Sequence, residues 1–365
     1  MDVRQRAVGW SLWLAAGLVA VITVSAGIGP VSIHPTAVLK VLLNAVSVPV
    51  GIEQTALSTA RTLQLPDPGL RWRSPFTYSV DSTHRVIVMR VRLPRILLAA
   101  AVGFGLAAAG TVMQGFFRNP MADPSIIGVS SGAAAGAVAF LVVPMAIPFG
   151  FGLRGAAFAG ALLAAFGVYA IATAGGRTPV ATLLLAGVAI QAFLGAMIAF
   201  LQLHSGDGLR QVVHWLMGHL GNASWDDVTI TLVLVPLLFG ILLTYARDLN
   251  VLLLGEEAAH GLGVEVERTK RILLAVSAVL TATVVAVSGV IGFVGLIVPH
   301  MVRLVVGPDH RVLLPTSALA GASFLVLTDT IARAGTTEIP VGIVTAALGA
   351  PFFLYLLRSQ EVHEL

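Results

Sequence analysis

Nine runs of the chain carry no Asp, Glu, Lys or Arg: Ala7–Leu39, Ile96–Phe117, Ser125–Leu153, Gly155–Gly176, Thr178–Gly206, Val228–Ala246, Ile272–Val302, Val312–Thr328 and Ile339–Leu357. A helix that crosses a hydrocarbon core needs about 20 mostly apolar residues, and nearly all of the runs reach that length. They are long and continuous, not short and alternating, so they predict spanning helices and not barrel strands. The run Ile272–Val302 is a special case. As one straight helix it would measure roughly 46 Å, too long for a core of about 30 Å. Basic residues flank both of its ends: Arg268, Lys270 and Arg271 before, Arg303 and Arg311 after. A single crossing would put one cluster on the wrong side. A hairpin turning near Ser288-Gly289 puts both on one side, so this run predicts two helices and the chain predicts ten.

The short loops set an orientation, because Lys and Arg collect on the cytoplasmic side. With the N-terminus inside, Arg4, Arg6, Arg118, Arg177, Arg247, Arg268, Lys270, Arg271, Arg303, Arg311 and Arg358 all fall inside. Only Arg154, Arg210 and Arg333 fall in short outer loops. The remaining basic residues, Lys40 to Arg95, fall in or at the edge of a long outer stretch from about Gly29 to Leu93. That stretch reads as an amphipathic piece, Ile33–Val46, followed by a polar, proline-containing insert, Glu53–His84. Both termini are then expected to be cytoplasmic. The first run has some marks of a leader, with Arg4 and Arg6 before it and Val24-Ser25-Ala26 as a cleavage-like site. Its apolar part is longer than the usual 7–15 residues or so of a leader, which favours a first span.

Composition agrees with this pattern. Of 365 residues, 57% are hydrophobic and 11% are charged, with a mean hydropathy of +0.91. Soluble domains carry about 25% charged residues. An ordinary soluble enzyme, a disordered chain and a coiled coil are therefore excluded, and a single all-α polytopic membrane domain over residues 1–365 is left. The net charge of +4 does not point to nucleic acid, because the basic residues form no dense patch. Without cysteine, disulfides, thiol catalysis and thiolate metal sites are ruled out. Small residues crowd the spans, at Ala99–Ala101 with Gly103 and Gly105, at Ala107–Gly110, at Gly132–Gly136 and at Gly155–Gly160. They let helix backbones approach closely in lipid.

The chain lacks any means of driving transport itself. A phosphate-binding loop needs Gly-x-x-x-x-Gly-Lys-Ser/Thr, and neither of the two lysines, Lys40 and Lys270, follows a glycine-rich loop. His-Glu-x-x-His and Gly-x-Ser-x-Gly are also missing, so no intramembrane enzyme is indicated. Mid-membrane acids, the usual mark of ion coupling, are nearly absent. Asp329 lies near the outer end of its span, four residues before Arg333, a spacing that can pair them. A pathway powered by another subunit fits better than a pump or an ion-coupled carrier.

The richest segment is Arg92-Leu-Pro-Arg95, a helix, then Arg118-Asn-Pro-Met-Ala-Asp-Pro-Ser-Ile-Ile-Gly-Val-Ser-Ser-Gly-Ala133. Pro94 suits a helix start, and Asn119-Pro120 and Asp123-Pro124 punctuate a tight inner turn. Further motifs are Leu183–Ala189, His214-Trp-Leu-Met-Gly218, Ser288-Gly-Val-Ile-Gly-Phe-Val-Gly-Leu-Ile-Val-Pro-His-Met-Val-Arg303, Asp309–Pro315 and Ile339–Pro351. From about Arg92 to Arg358 the chain resembles the permease subunits of type II ABC importers, which take up vitamin B12, ferric siderophores and haem.

That resemblance implies ten helices per subunit and a homodimer with the pathway at its interface. It also implies two cytoplasmic ATPase subunits and a periplasmic binding protein, in the inner membrane of a bacterium. No cofactor or metal is implied on this chain; ATP and Mg are used by the partner ATPase. Arg92, Arg95 and Arg333 match arginines that meet acidic residues of the binding protein. The inner segment 248–267 matches the coupling-helix loop, with Gly255, Glu256, Glu257, Ala258, Ala259, Leu262 and Gly263 docking into the ATPase. Asn119 and Met121, with Val180 and Ala181, match the cytoplasmic gate, apolar at the last two where hydroxyl residues are expected. The stretch Asp207–Arg210 with His214-Trp215 tilts the expected cargo to haem or a ferric siderophore, with vitamin B12 as the alternative. His204, His214, His219 and His300 are expected to pack or hydrogen-bond and not to ligate metal, because a strong axial ligand would oppose release.

Overall fold

A computed structural model describes residues 2–46, 48–53, 69–143, 152–335 and 337–361. Each apolar run becomes a helix. The first gives α1 (Val3–Gly27) and reaches into the amphipathic α2 (Pro35–Ala45). A short helix α3 (Ser82–Val86) leads through a π-helical stretch (Ile87–Arg92) into α4 (Leu93–Phe117). Then come α5 (Val129–Val142), α6 (Gly152–Ala172), α7 (Val180–Leu203), α8 (Leu209–Leu216) and α9 (Trp225–Thr244). The rest of the chain forms α10 (Ala246–Leu252), α11 (Glu256–Gly261), α12 (Val266–Ser288), α13 (Val294–Val306), α14 (His310–Ala332) and α15 (Val341–Glu361).

Among the described residues, α1, the α3–α4 rod, α6, α7, α9, α12 and α14 are long and apolar enough to cross a membrane. The shorter α5, α13 and α15 complete the ten helices that the runs predict. The total is higher than ten, because α2, α8, α10 and α11 fill connections too polar or too short to show as runs. The long outer stretch adds a small antiparallel hairpin, β1 (Val48–Glu53), which leads into the insert, with β2 (Gly69–Arg73) inside it. The middle of the predicted insert, residues 54–68, lies outside the described residues.

The hairpin expected at Ser288-Gly289 is present. α12 stops at Ser288, Gly289 takes a left-handed φ of 69°, and α13 returns. Pro94 lies in the first turn of α4, as the sequence expects, but no break precedes that turn. It sits inside a continuous rod, just after the π-helical stretch. A proline there removes an N–H and crowds the preceding turn. The wider π turn, closed by Leu93 N–H to the Val88 carbonyl, makes room for it.

The small residues pack backbone against backbone. A Cβ on Gly103 would fall inside the Gly321 carbonyl, and one on Gly110 inside the Gly295 carbonyl. α4 is thereby pressed between α14 and α13. Gly132 and Gly160 do the same for α5 and α6. α1 closes on α14, where the Ser25 and Thr330 hydroxyls lie 2.6 Å apart.

Candidate functional site

The helix directions give the bundle two distinct ends. The starts of α1, α12 and α14 and the ends of α4 and α13 share one end with α10 and α11. The eleven basic residues assigned to the inside by the sequence gather there. The opposite end carries Arg92, Arg95 and Arg333.

At the arginine end the structure changes the sequence reading. Docking through rim arginines requires free guanidinium groups, but Arg92, Arg95 and Arg333 are only 5%, 9% and 6% exposed. Each is already committed. Arg92 donates to the Ala26 carbonyl at 2.7 Å and also to that of Val31. Arg333 donates to the carbonyls of Ser25 and Ile28 at 2.7 and 2.8 Å. Arg95 forks onto Asp329 at 2.8 and 2.9 Å and also meets Glu338. Asp329 does lie near Arg333, at 3.3 Å, but its stronger partner is Arg95, which the local i,i+4 spacing could not announce. The three arginines thus fasten the ends of α1, α4 and α14 to one another. Losing one member of such a buried pair typically costs about 3–5 kcal/mol.

The histidines gather beside this cluster. The His214 and His219 rings meet edge to face with centroids 4.5 Å apart. They line a cavity of 230 Å³ with Arg95, Asn222 and Glu338. Burial, and then the charges of His214 and Arg95, pull His219 down to about 4. A histidine held neutral in this way packs against its neighbours, and its Nδ1 is buried without a hydrogen-bond partner. His204 lies against the Phe200 ring with the planes tilted by 41°, and His300 is buried within α13. Among the described residues no group of three or more His, Asp or Glu side chains could hold a metal.

At the other end only Val180 and Ala181 of the expected gate residues line a cavity; Asn119 and Met121 lie in the turn after α4. Arg118 takes a left-handed φ of 50° and ends α4. Asn119 then accepts the Met121 N–H at 2.8 Å, which fixes the turn. Val180 and Ala181 begin α7 and line a cavity of 580 Å³ with Phe117, Arg118, Leu252 and Lys270. Nearby, Asp123 is pushed above the usual carboxylate range by burial, although Ser125 donates to it.

The expected coupling loop is a helix pair, α10 and α11. Gly255 and Gly263 take left-handed φ values of 116° and 85°, and so bound α11. Ala259 is buried against the bundle, so it anchors the loop instead of docking. Glu256, Glu257, Ala258 and Leu262 remain on the surface, and Leu254 and Leu262 are 69% and 65% exposed.

Two polar ties fasten this pair to the bundle, and the sequence reading missed both. Asn250 of α10 donates to Asp309 at 2.7 Å and accepts the His310 N–H at 2.9 Å. Hydrogen bonds from Arg311, with help from Asn250, hold Asp309 at about 2. Glu256 of α11 pairs with Lys270 of α12 at 2.6 Å. The i,i+3 spacing of Glu267 and Lys270 announces only their own pair within α12; nothing local announces either tie.

Residues 17–359 match the FecCD transport family. The chain belongs to that family. Over its whole length it is 57% identical to the cobalamin import system permease protein BtuC of Halobacterium salinarum, 100% of which is covered. It is 44% identical to the hemin transport system permease protein HmuU of Yersinia pestis, over 80% of this chain and 89% of that one. A solved inward-facing conformation of a transporter assigned to the metal-chelate ABC type superposes with a TM-score of 0.76. It shares 32% identity and covers 96% of this chain and 98% of its own. The chain is therefore the permease of an ABC importer, a multi-pass membrane protein whose family keeps the ATPase in a separate subunit. The ABC permease resemblance read from the motifs is correct.

Proposed function

We propose that this permease carries a corrinoid such as cobalamin into the cell. One observation carries the reading: 57% identity, end to end, with a cobalamin permease. This moves the balance away from the haem or siderophore cargo that the sequence favoured. Haem is the second reading, supported by the 44% identity to a hemin permease.

The working unit is two copies of the chain, two ATPase subunits and a binding protein. It sits in the cytoplasmic membrane with the arginine end outward and both termini inside, as the eleven basic residues of the opposite end indicate. The binding protein docks on the arginine end. Arg92, Arg95 and Arg333 serve that docking by holding three helix ends and the surface carboxylate of Glu338 in register. The α10–α11 pair seats in the ATPase, with Leu254 and Leu262 as its apolar contacts. Asn119, Met121, Val180 and Ala181 form the gate that opens when the ATPases move this pair.

The test is uptake in cells that lack their own cobalamin permease and receive this chain with its ATPase and binding protein. ATP-dependent accumulation of cobalamin is expected. Accumulation of haem or a ferric siderophore instead would overturn the corrinoid assignment. Uptake that follows a proton gradient and ignores ATP would overturn the importer mechanism.

A further inference from the structure

Lys270 is one of only two lysines in the chain, and its side chain is 5% exposed. A buried ammonium must be paired, and the partners here come from three different elements. Nζ lies 2.6 Å from Glu256, the first residue of α11. It lies 3.3 Å from Glu267, one turn back on α12. It also donates to the Thr178 carbonyl at 3.4 Å. Thr178 is tied a second time, because its N–H donates to Glu267 at 3.2 Å. Thr178 is itself buried and stands immediately before Pro179 and Val180, where α7 begins.

We propose that Lys270 is a positioning residue that transmits movement of α11 to the turn heading α7, and so to Val180 and Ala181. The inference rests on the coupling and gate roles proposed above. The chain of contacts is short and continuous: Glu256 on the coupling helix, Lys270, then the Thr178 carbonyl directly and the Thr178 N–H through Glu267. Lys270 and Glu256 line the same cavity as Val180 and Ala181. A carboxylate that moves with α11 takes the ammonium with it or leaves that charge buried without its closest partner. Either outcome acts on the Thr178 carbonyl, so the turn cannot ignore a shift of α11. Coupling of this kind requires an element whose arrangement both sites bias, and the Arg177–Val180 turn has that place.

The test uses the assembled permease–ATPase complex, spin-labelled at His260 on α11 and Thr182 on α7, without nucleotide and with ATP plus orthovanadate. In the parent complex the distance between labels stays narrow in both conditions, because the two positions move together. In Lys270→Gln and in Glu256→Gln the distribution broadens once ATP is added. In proteoliposomes the ATP consumed per cobalamin carried rises about tenfold in both variants. Lys270→Arg retains the charge and restores the narrow distance. Glu256 is half exposed, so Glu256→Gln folds even where Lys270→Gln does not. Narrow distances and unchanged coupling in Glu256→Gln would overturn the inference, as would variants that lose only thermal stability. A parent complex that neither hydrolyses ATP nor responds to it would instead overturn the function proposed above.

Discussion

His219 shows how burial, helped by nearby positive charge, sets the chemistry of one side chain. Its charged neighbours at the arginine end are His214, the Arg95 guanidinium and the Glu338 carboxylate, the last opposing the other two, and it is held at about 4, well below its usual 6.5. Between those values an unfolded chain takes up a proton that the folded chain refuses. Stability is then expected to fall as pH drops from 6.5 toward 4. Thermal unfolding in detergent at pH 7 and pH 5 measures this, and His219→Gln should reduce the pH difference by about 2 °C. An equal pH slope in both proteins would show that His219 is not the group responsible. At this scale the sequence was least informative. It named Arg92, Arg95 and Arg333 and put them at one end of the bundle, where they lie, but burial comes from distant partners. Asp329 lies 234 positions from Arg95, and no local pattern carries that information.

At the scale of elements the sequence was most informative. Apolar runs bounded by charges located ten helices, because the length of a crossing is fixed by the bilayer. The turn at Gly289 was readable from the charge clusters on either side. The α10–α11 pair and α8 were not visible as runs, being short and half polar. The small-residue clusters were read as close packing, and the structure assigns the partners: Gly110 against Gly295, Gly103 against Gly321. Overpacking at such contacts costs about 1–3 kcal/mol or more. Gly110→Ala, whose Cβ would fall inside the Gly295 carbonyl, should therefore lower the thermal midpoint sharply and reduce the yield of folded protein. Gly167→Ala makes the matched control, since a Cβ there meets nothing within 4 Å. Equal effects of the two substitutions would show that the α4–α13 contact is not the cause.

At the scale of the whole molecule, the two ends differ in how their surfaces are built. The arginine end satisfies its buried arginines internally. The other end leaves Leu254 and Leu262 uncovered on a short helix pair that is itself fastened at Asn250 and Glu256. Buried apolar anchors carry most of the energy of an interface. Leu254→Ser with Leu262→Ser should weaken association with the ATPase subunit about tenfold or more, measured by titration of the purified subunits, while the fold is preserved. Unchanged affinity would remove these leucines from the interface. Family and transport class were legible because they rest on spans and motifs. Cargo was not, because it depends on surfaces that appear only when helices distant in sequence are brought together.

The Arg95–Asp329 pair also sets a schedule for biogenesis. Arg95 is synthesised 234 residues before its partner. At roughly 5–20 residues per second that is a wait of about 10–50 s. Throughout that interval α4 stands in the bilayer with an unneutralised guanidinium at its edge. Its final depth and tilt become fixed only when α14 arrives, so the second long helix of the chain is among the last to be locked in place.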